Sequence, residues 1–375
     1  MCYNGSVKTI LYFQADGRIS ARQKLEGVYA HGHQYGWDVQ VIEPGASERK
    51  AAELIEFWAP DGVIVECGSG QNHFAPRLFA KTPVVFLDRN PKTLNVPASC
   101  ITHDSVATAK IAARELLSLK LTAYAYVPWP EPRFWSDERE AGFSKALHLN
   151  GCGYVRFNGK AKTSDVRALQ NELRTWLRDL PKPVGIFAAN DFMAAQVAAA
   201  ADRAGLSIPE DIALVGVDND ELLCENTKPT LSSVMPDFRS AGEKAAEMLT
   251  RRMSNPKSRP AAETFGPLRL VRRASTNRVK RIDHEVLAAL DLIRREACNG
   301  LKARDVATCF TCTRRMAEIR FRAATGKSPL EAIHEIRREK ALELLADPTR
   351  DRNAVANLCG YSSANALANF LRGGK

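Results

Sequence analysis

Acidic and amide side chains recur in this sequence at the ends of short apolar runs. Val7 to Phe13 leads into Gln14-Ala15-Asp16, Gly62 to Val65 into Glu66-Cys67-Gly68, and Pro83 to Leu87 into Asp88-Arg89-Asn90. Val184 to Ala188 is followed by Asn190-Asp191, and Ile212 to Val217 by Asp218-Asn219-Asp220. Such groups bind polar ligands through hydrogen bonds and charge; in an open α/β sheet they meet in the crevice beyond the carboxyl ends of the strands. Reactive constellations are harder to find. Gly326-Lys327-Ser328 imitates a phosphate loop, but Phe321 stands where that loop needs its first glycine. Asp218-Asn219-Asp220 begins like a calcium loop, yet Leu223 occupies the glycine position. Gly68-Ser69-Gly70 is too short for a nucleophile elbow, and His334-Glu335 has no second histidine one turn on. Cys309 and Cys312 form a lone CxxC without the further ligands of a tetrahedral zinc site, so neither a metal nor a cofactor is expected.

The elements that must position these residues alternate. The runs above, with Asp38 to Ile42 and Ala123 to Val127, are strand candidates, and stretches such as Ala107 to Leu119, Val166 to Leu177 and Ala194 to Ala204 have helical spacing. Strand and helix in alternation predict an α/β fold with parallel sheets. Arg272 to Ile282 is rich in Arg, Ser, Thr and Asn and reads as a linker; only helical spacing follows, broken at Gly300, Gly326 to Pro329, Pro348 and Gly360. The expected division is an α/β region over 1–272, a linker over 273–282 and a small all-α domain over 283–375.

The 375 residues exceed one ordinary domain, and 45% hydrophobic with 26% charged residues is a globular composition. The net charge is +10, of which the segment from Thr276 onward, with 19 basic and 12 acidic residues, carries +7. A basic excess gathered in the helical end suggests nucleic acid as partner. No apolar run approaches a membrane span and no export signal opens the chain, so a cytoplasmic location without membrane association is expected. Nine scattered cysteines fit reduced core residues better than a disulfide framework.

Within the helical end, Val306-Ala307, Thr311, Thr313, Ala317 and Phe321 fit a helix-turn-helix whose second helix offers Arg314, Arg315, Glu318 and Arg322 outward. Arginine pairs bidentately with guanine edges or holds phosphates; an Arg pair by itself reads first as an ordinary solvated helix face, and it is the repeated spacing, the local charge and the linker that favour DNA. About 45 residues on, Val355-Ala356, Gly360-Tyr361 and Leu367 repeat the layout, which places Ser362, Ser363 and Asn365 at the second reader. The amphipathic stretch Pro329 to Leu345 between them would hold two readers one helical turn of DNA apart.

Thr313-Arg314-Arg315, Glu318, Phe321, Gly326, Ser328-Pro329, Ala341, Leu344-Leu345 and Cys359-Gly360-Tyr361 resemble, in order, the C-terminal DNA-binding pattern of the arabinose-operon regulator family (AraC family). That family continues past its second reading helix with a closing helix, whereas this sequence stops at Leu371-Arg372-Gly373-Gly374-Lys375, so a shortened domain is expected. Upstream, Val184 to Asp191, Gly205 to Ile212, Val215 to Asp218 and Pro229 to Val234 resemble the effector domain of the lac-repressor family, itself similar to periplasmic sugar-binding proteins. Arg22 with Gly27-Val28, Asp61 to Ile64, Asp104, Glu138-Arg139 and Gly142-Phe143 extend that match over residues 6 to 276, without the N-terminal DNA-binding headpiece. The combination looks like the bacterial xylose-operon regulators.

The resemblance implies two lobes closing on a sugar, with Arg139, Asn190 and Asp218 as pocket residues and Asp191 and Asp104 next. Asp104 is equally placed to cap the helix that begins at Ser105. Trp135, in the loop Trp129 to Asp137, would stack on an apolar sugar face or is a plain core aromatic. It further implies double-stranded DNA as partner, a homodimer, RNA polymerase contact if the protein is an activator, and no catalysis. The alternatives are a sugar-acting enzyme with a helical appendage, and an architectural or decayed regulator that binds DNA weakly.

Overall fold

The computed structural model describes residues 7–68, 72–94, 97–277, 284–347 and 349–373, in two compact units, Met1–Thr276 and Asn277–Lys375. Each unit has hydrophobic cores of its own.

The first unit holds two six-stranded sheets that repeat one plan. The first consists of β1 (Lys8–Phe13), β2 (Trp37–Ile42), β3 (Gly62–Glu66), β4 (Val84–Leu87), β5 (Ser99–His103) and β11 (Ala262–Phe265), in the order β11-β5-β4-β3-β1-β2 and parallel throughout. The second consists of β6 (Ala123–Val127), β7 (Val155–Arg156), β8 (Val184–Ala188), β9 (Ile212–Val217), β10 (Ser232–Pro236) and β12 (Pro267–Val271), in the order β12-β10-β9-β8-β6-β7, with only β12 antiparallel. Helices cover both faces, so the central strands are buried on both sides and read as unbroken apolar runs such as Val184–Ala188 and Ile212–Val217. The shorter or more polar strands β5, β7, β10 and β11 lack that signal.

The chain passes between the sheets three times. It does so from β5 into α3 (Ser105–Ser118), from β10 into α8 (Phe238–Ser254), and at Gly266 between β11 and β12. The crossings are tied together, because Asp104 N–H donates to the Phe265 carbonyl (2.8 Å) and Asp237 N–H to that of Gly266 (3.0 Å). Helix α8 returns to the first sheet and packs on α1 (Ile19–Tyr35) at backbone contact. A Cβ on Gly27 would lie 2.1 Å from the Arg239 carbonyl oxygen, and one on Gly242 1.8 Å from that of Lys24, so only glycine fits either position.

Residues Arg273–Thr276, which open the expected linker, are instead part of the first unit. Arg273, Ser275 and Thr276 are buried, and the Ser275 hydroxyl donates to the Leu214 carbonyl of β9 at 2.6 Å. Polar composition suggested a linker, but Ser275 and Arg273 satisfy backbone groups of Leu214, Ser232 and Leu231 at the interior strands β9 and β10 of the second sheet. Residues 278–282 of that linker lie outside the described residues.

The second unit is all-helical: α9 (His284–Glu296), α10 (Ala303–Val306), α11 (Arg314–Thr325), α12 (Pro329–Leu345), α13 (Arg352–Leu358) and α14 (Ala364–Leu371), with two short 3₁₀ turns. It has two small cores. Ala332 and Ile333 of α12 pack with Val286, Ile293, Val306, Ala317 and Phe321, while Ala341 and Leu344 of the same helix pack with Val355, Ala356 and Leu367. One helix of about 25 Å therefore carries both halves. Its start is fixed by Pro329 in the first turn and a capping box in which Ser328 and Glu331 bond each other's backbone N–H. Gly360, at φ 77°, approaches the Cys298 carbonyl so closely that a Cβ would lie 2.8 Å from it, which fastens the second half to the first. Among the described residues no helix is long and apolar enough to cross a membrane.

Candidate functional site

The carboxyl ends of the strands where each sheet's order reverses meet in one cavity of about 100 Å³. From the first sheet come Ala15 and Asp16 after β1, Glu66 and Gly68 at the end of β3, and Asp88 after β4; from the second come Trp129 after β6, Asn190 after β8 and Asp218 after β9. At about 10–15 Å³ per water, the cavity holds roughly seven to ten waters, the room of one monosaccharide.

The floor on the first side is a buried cation between two carboxylates. Lys24, only 2% exposed, projects from α1 where the glycine contacts bring α1 against α8; its Nζ bonds Glu66 Oε1 at 2.8 Å and Asp88 Oδ2. Burial by itself would depress this ammonium, but the two carboxylates outweigh it and hold its pKa above the ordinary lysine range. Lys24 Nζ also lies 5.3 Å from the centre of the Phe238 ring, which lines the cavity.

On the second side Arg139, held in α4 (Phe134–His148), is the central cation. Its guanidinium lies 3.9 Å from Asp218, donates to the Ala189 carbonyl, and rests 4.9 Å from the centre of the Trp135 ring. It also meets His103 Nδ1 at 3.1 Å. Arginine can only donate, so Nδ1 is the acceptor and Nε2 carries the proton that goes to Thr108 Oγ1, 2.8 Å away. Burial, then Arg139 and Lys24, push His103 well below the ordinary histidine range and keep it neutral. Arg139 Nε and Trp129 Nε1 are buried donors without a partner among the described residues, hydrogen-bonding capacity left at the wall.

The expected pocket residues divide. Arg139, Asn190, Asp218 and Trp135 are brought together at the cavity. Asn190 also caps α6 (Asp191–Ala204), its Oδ1 accepting from Met193 N–H at 3.0 Å. Trp135 sits in the first turn of α4 rather than in a loop, and its Nε1 donates to the Gly68 carbonyl at 3.2 Å, linking the two lobes. Arg133 is the N-cap, so the polar turn ends two residues before Trp135.

Asp191 and Asp104 do not line the cavity. Asp191, 1% exposed, turns behind β9, where its carboxylate accepts from Ser233 Oγ (2.6 Å), Asp220 N–H (2.9 Å) and Cys224 Sγ (3.3 Å). Asp104 caps α3, accepting from Ala107 N–H at 2.8 Å. Asp104→Ala is therefore expected to cost about 1 kcal/mol of stability while sugar affinity stays within twofold. Thermal unfolding and titration calorimetry on the same sample separate the two effects.

Asp16, Glu66 and Asp88, which the sequence marks at the ends of apolar runs, also line the cavity, as do Lys24, His103, Trp129 and Phe238, which were not singled out from the sequence. Glu66 and Asp88 followed apolar runs and carried the signal; Lys24 looked like any helix lysine, and only its position between two glycine contacts buries it.

Two carboxyls at the end of the second sheet, buried Asp191 and partly exposed Asp218, both have raised pKa values. Burial, then Asp218, push Asp191 up to about 7; burial pushes Asp218 up to about 6 against the pull of Arg139 and Lys24. From Asp191 a hydrogen-bonded path runs through Ser233 Oγ to the Asn219 N–H (3.0 Å) and from Asn219 Oδ1 to Arg273 (2.8 Å), at the exit from the first unit.

In the second unit α11 and α14 each form the second helix of a helix-turn-helix. Thr313 stands at the N-cap of α11 without a side-chain cap bond. Arg314 and Glu318 are paired with each other at 3.1 Å, Arg322 lies 3.5 Å from Glu331, and Arg315 is exposed with no ion pair among the described residues. Ser362 and Asn365 are exposed, whereas Ser363 caps α14 through Ala366 N–H at 3.2 Å. Arg338 of α12 donates to the carbonyls of Phe370 and Leu371, both at 3.2 Å, and so satisfies the end of α14.

Residues 113–276 match the periplasmic binding protein-like domain family and residues 306–373 the helix-turn-helix domain family. The xylose operon regulatory protein of Escherichia coli (strain K12) is 28% identical over 349 residues, covering 91% of this chain and 88% of that protein. That of Haemophilus influenzae is 25% identical over 362 residues, covering 95% and 92%. Among solved structures, that of a xylose-binding transcription activator aligns over 99% of this chain and 96% of its own, with 25% identity and a TM-score of 0.63. A dimeric lac repressor shares the fold of the first unit, covering 71% of this chain with a TM-score of 0.56. The chain is thus a homologue of the xylose operon regulatory proteins and joins a periplasmic-binding-protein-like effector domain to a C-terminal helix-turn-helix domain of AraC type.

Proposed function

We propose that the effector of this sugar-responsive DNA-binding transcription regulator is D-xylose or a closely related monosaccharide, held by Arg139, Asn190, Asp218 and Asp88. The observation that carries this reading is the cavity: one monosaccharide in size, walled by carboxylates, an amide and guanidinium donors, with Trp129, Trp135 and Phe238 as apolar faces. Sugar hydroxyls need planar, paired hydrogen-bonding partners and an aromatic for the apolar ring face. The names of the relatives point to xylose among the sugars that fit.

Binding draws the lobes together across the Trp135–Gly68 contact and alters the geometry of a homodimer, which sets the spacing of α11 and α14 on double-stranded DNA. Thr313, Arg314, Arg315, Glu318, Arg322, Ser362, Ser363 and Asn365 are the proposed DNA-facing set, with Ser363 acting through the cap of its helix. Contact with RNA polymerase, if the protein activates, and a cytoplasmic location belong to the same reading. A catalytic role is disfavoured by Asp191: its carboxyl has the raised pKa of a general acid, but three protein donors hold it behind the strand, away from the cavity.

Calorimetric titration of the full chain with D-xylose, L-arabinose, D-ribose and D-glucose tests the proposal. Selective binding of one pentose by the wild type is expected. Binding of none of the four removes the sugar-sensing reading and leaves the effector domain without this ligand class.

A further inference from the structure

Helix α11 carries an exposed apolar residue where a solvated helix would carry a polar one. Ala317 and Phe321 face the core, so by helical periodicity the opposite face centres on Arg315, Ile319 and Arg322. Ile319 is 52% exposed, and Met316, at its flank, 47%. An isoleucine held in water between two arginines does nothing for the fold of this unit, whose first core is complete without it.

The second half provides an internal comparison. Leu367 of α14 occupies the place of Ala317, which sets Asn365 against Arg315, Asn369 against Ile319 and Arg372 against Arg322. Asn365, Asn369 and Arg372 are all exposed. The two helices thus match in layout and in the final arginine; at the other two places α14 carries amides, where α11 has an arginine and a branched alkyl group. In the major groove an amide suits adenine, whereas the one apolar group on any base edge is the 5-methyl of thymine.

We propose that Ile319, set between Arg315 and Arg322, reads the 5-methyl group of a thymine in the major groove, and that this discrimination is confined to the half-site under the first helix-turn-helix. The inference rests on the DNA-binding reading above. The flanking arginines bring the helix onto the phosphates or a guanine edge, and the alkyl group then gains only where a methyl faces it. A cytosine or a uracil at that position presents only a C5–H, and Ile319 then has no methyl to pack against.

The test starts from a randomised DNA duplex library selected against the full chain. In the recovered duplex each thymidine is replaced singly by deoxyuridine, which removes only the methyl. One thymine, or two neighbouring ones within one half-site, should respond with a loss of about fourfold in wild-type affinity, the size expected for one buried methyl. Ile319→Ala should lose about the same factor on the parent duplex and show no further loss on the deoxyuridine duplex. The variant is a valid probe if it melts like the wild type and keeps salt-dependent binding to an unselected duplex. An equal deoxyuridine effect in wild type and variant, or no sensitive thymine in either half-site, overturns the assignment. Recovery of no preferred duplex at all would instead overturn the DNA-reading function beneath it.

Discussion

Lys24→Ala is expected to destabilise the effector unit by about 3–5 kcal/mol at neutral pH, because it removes one member of a buried ion triad and leaves the other two as unpaired buried charges. Lys24 and Glu66 side chains are each 2% exposed and that of Asp88 11%, so water cannot take over the lost partner. The carboxylates raise the lysine pKa in the folded chain. The ammonium therefore contributes its full stabilisation at every pH below the unfolded lysine value and loses it only as pH rises through the higher folded value. All five tryptophans, at positions 37, 58, 129, 135 and 176, precede residue 276, so tryptophan fluorescence during denaturant unfolding reports this unit alone. A companion variant, Lys24→Met with Glu66→Gln and Asp88→Asn, should recover most of the loss, since removing all three charges leaves none unpaired. An unchanged midpoint in Lys24→Ala would mean that the triad does not hold the first lobe together.

Asp218→Asn is expected to separate ligand binding from stability. Its carboxylate is the anionic partner of Arg139 at the cavity, one fifth exposed there, and a charged hydrogen-bonding pair to sugar hydroxyls is worth about 3 kcal/mol, roughly a 100-fold loss of affinity in calorimetry. Stability should move the other way. Asp191 at about 7 and Asp218 at about 6 both bind their protons more tightly folded than unfolded. Their contribution is therefore fully present below about pH 4 and is lost as pH rises through about 6 and 7. At pH 8 the wild type carries two ionised carboxyls of raised pKa, buried Asp191 and partly exposed Asp218 beside Arg139, and the variant one. Asp218→Asn should melt higher than the wild type at pH 8, with the gap closing toward pH 5. A gap independent of pH would show that the two carboxyls do not titrate in this range.

Much of this was legible in advance because parallel strands buried on both faces must be apolar, and the polar residues that interrupt them fall at the carboxyl ends. Val184–Ala188 followed by Asn190, and Ile212–Val217 followed by Asp218, show that logic directly. Strands β7 and β11 escaped it: their residues are largely exposed edge positions held by backbone pairing, which leaves no periodic mark. Asp191 misled because its neighbour does face the cavity; adjacent residues at a strand-to-helix junction point in different directions, and only the positions of Ser233 and Cys224 decide which carboxyl is taken inward. Lys24 was illegible for a related reason. Its burial follows from Gly27 and Gly242, which lie in helices far apart in sequence, and from carboxylates delivered by two separate strands. The duplicated helix-turn-helix was readable because its small and apolar packing positions recur at matching intervals, whereas the pairing of Arg314 with Glu318 is a local competition that a list of outward-facing residues does not resolve.

Sugar binding and DNA binding are functionally joined only if each changes the other. The decisive quantity is the affinity of the full chain for its selected duplex, measured by fluorescence anisotropy at fixed salt, without sugar and with saturating D-xylose. Coupling of ordinary allosteric size predicts a change of about 5- to 150-fold, with the affinity for the sugar shifted by the same factor when DNA is present. Identical DNA affinity in both conditions, with the sugar demonstrably bound, would contradict sugar-dependent regulation by this chain.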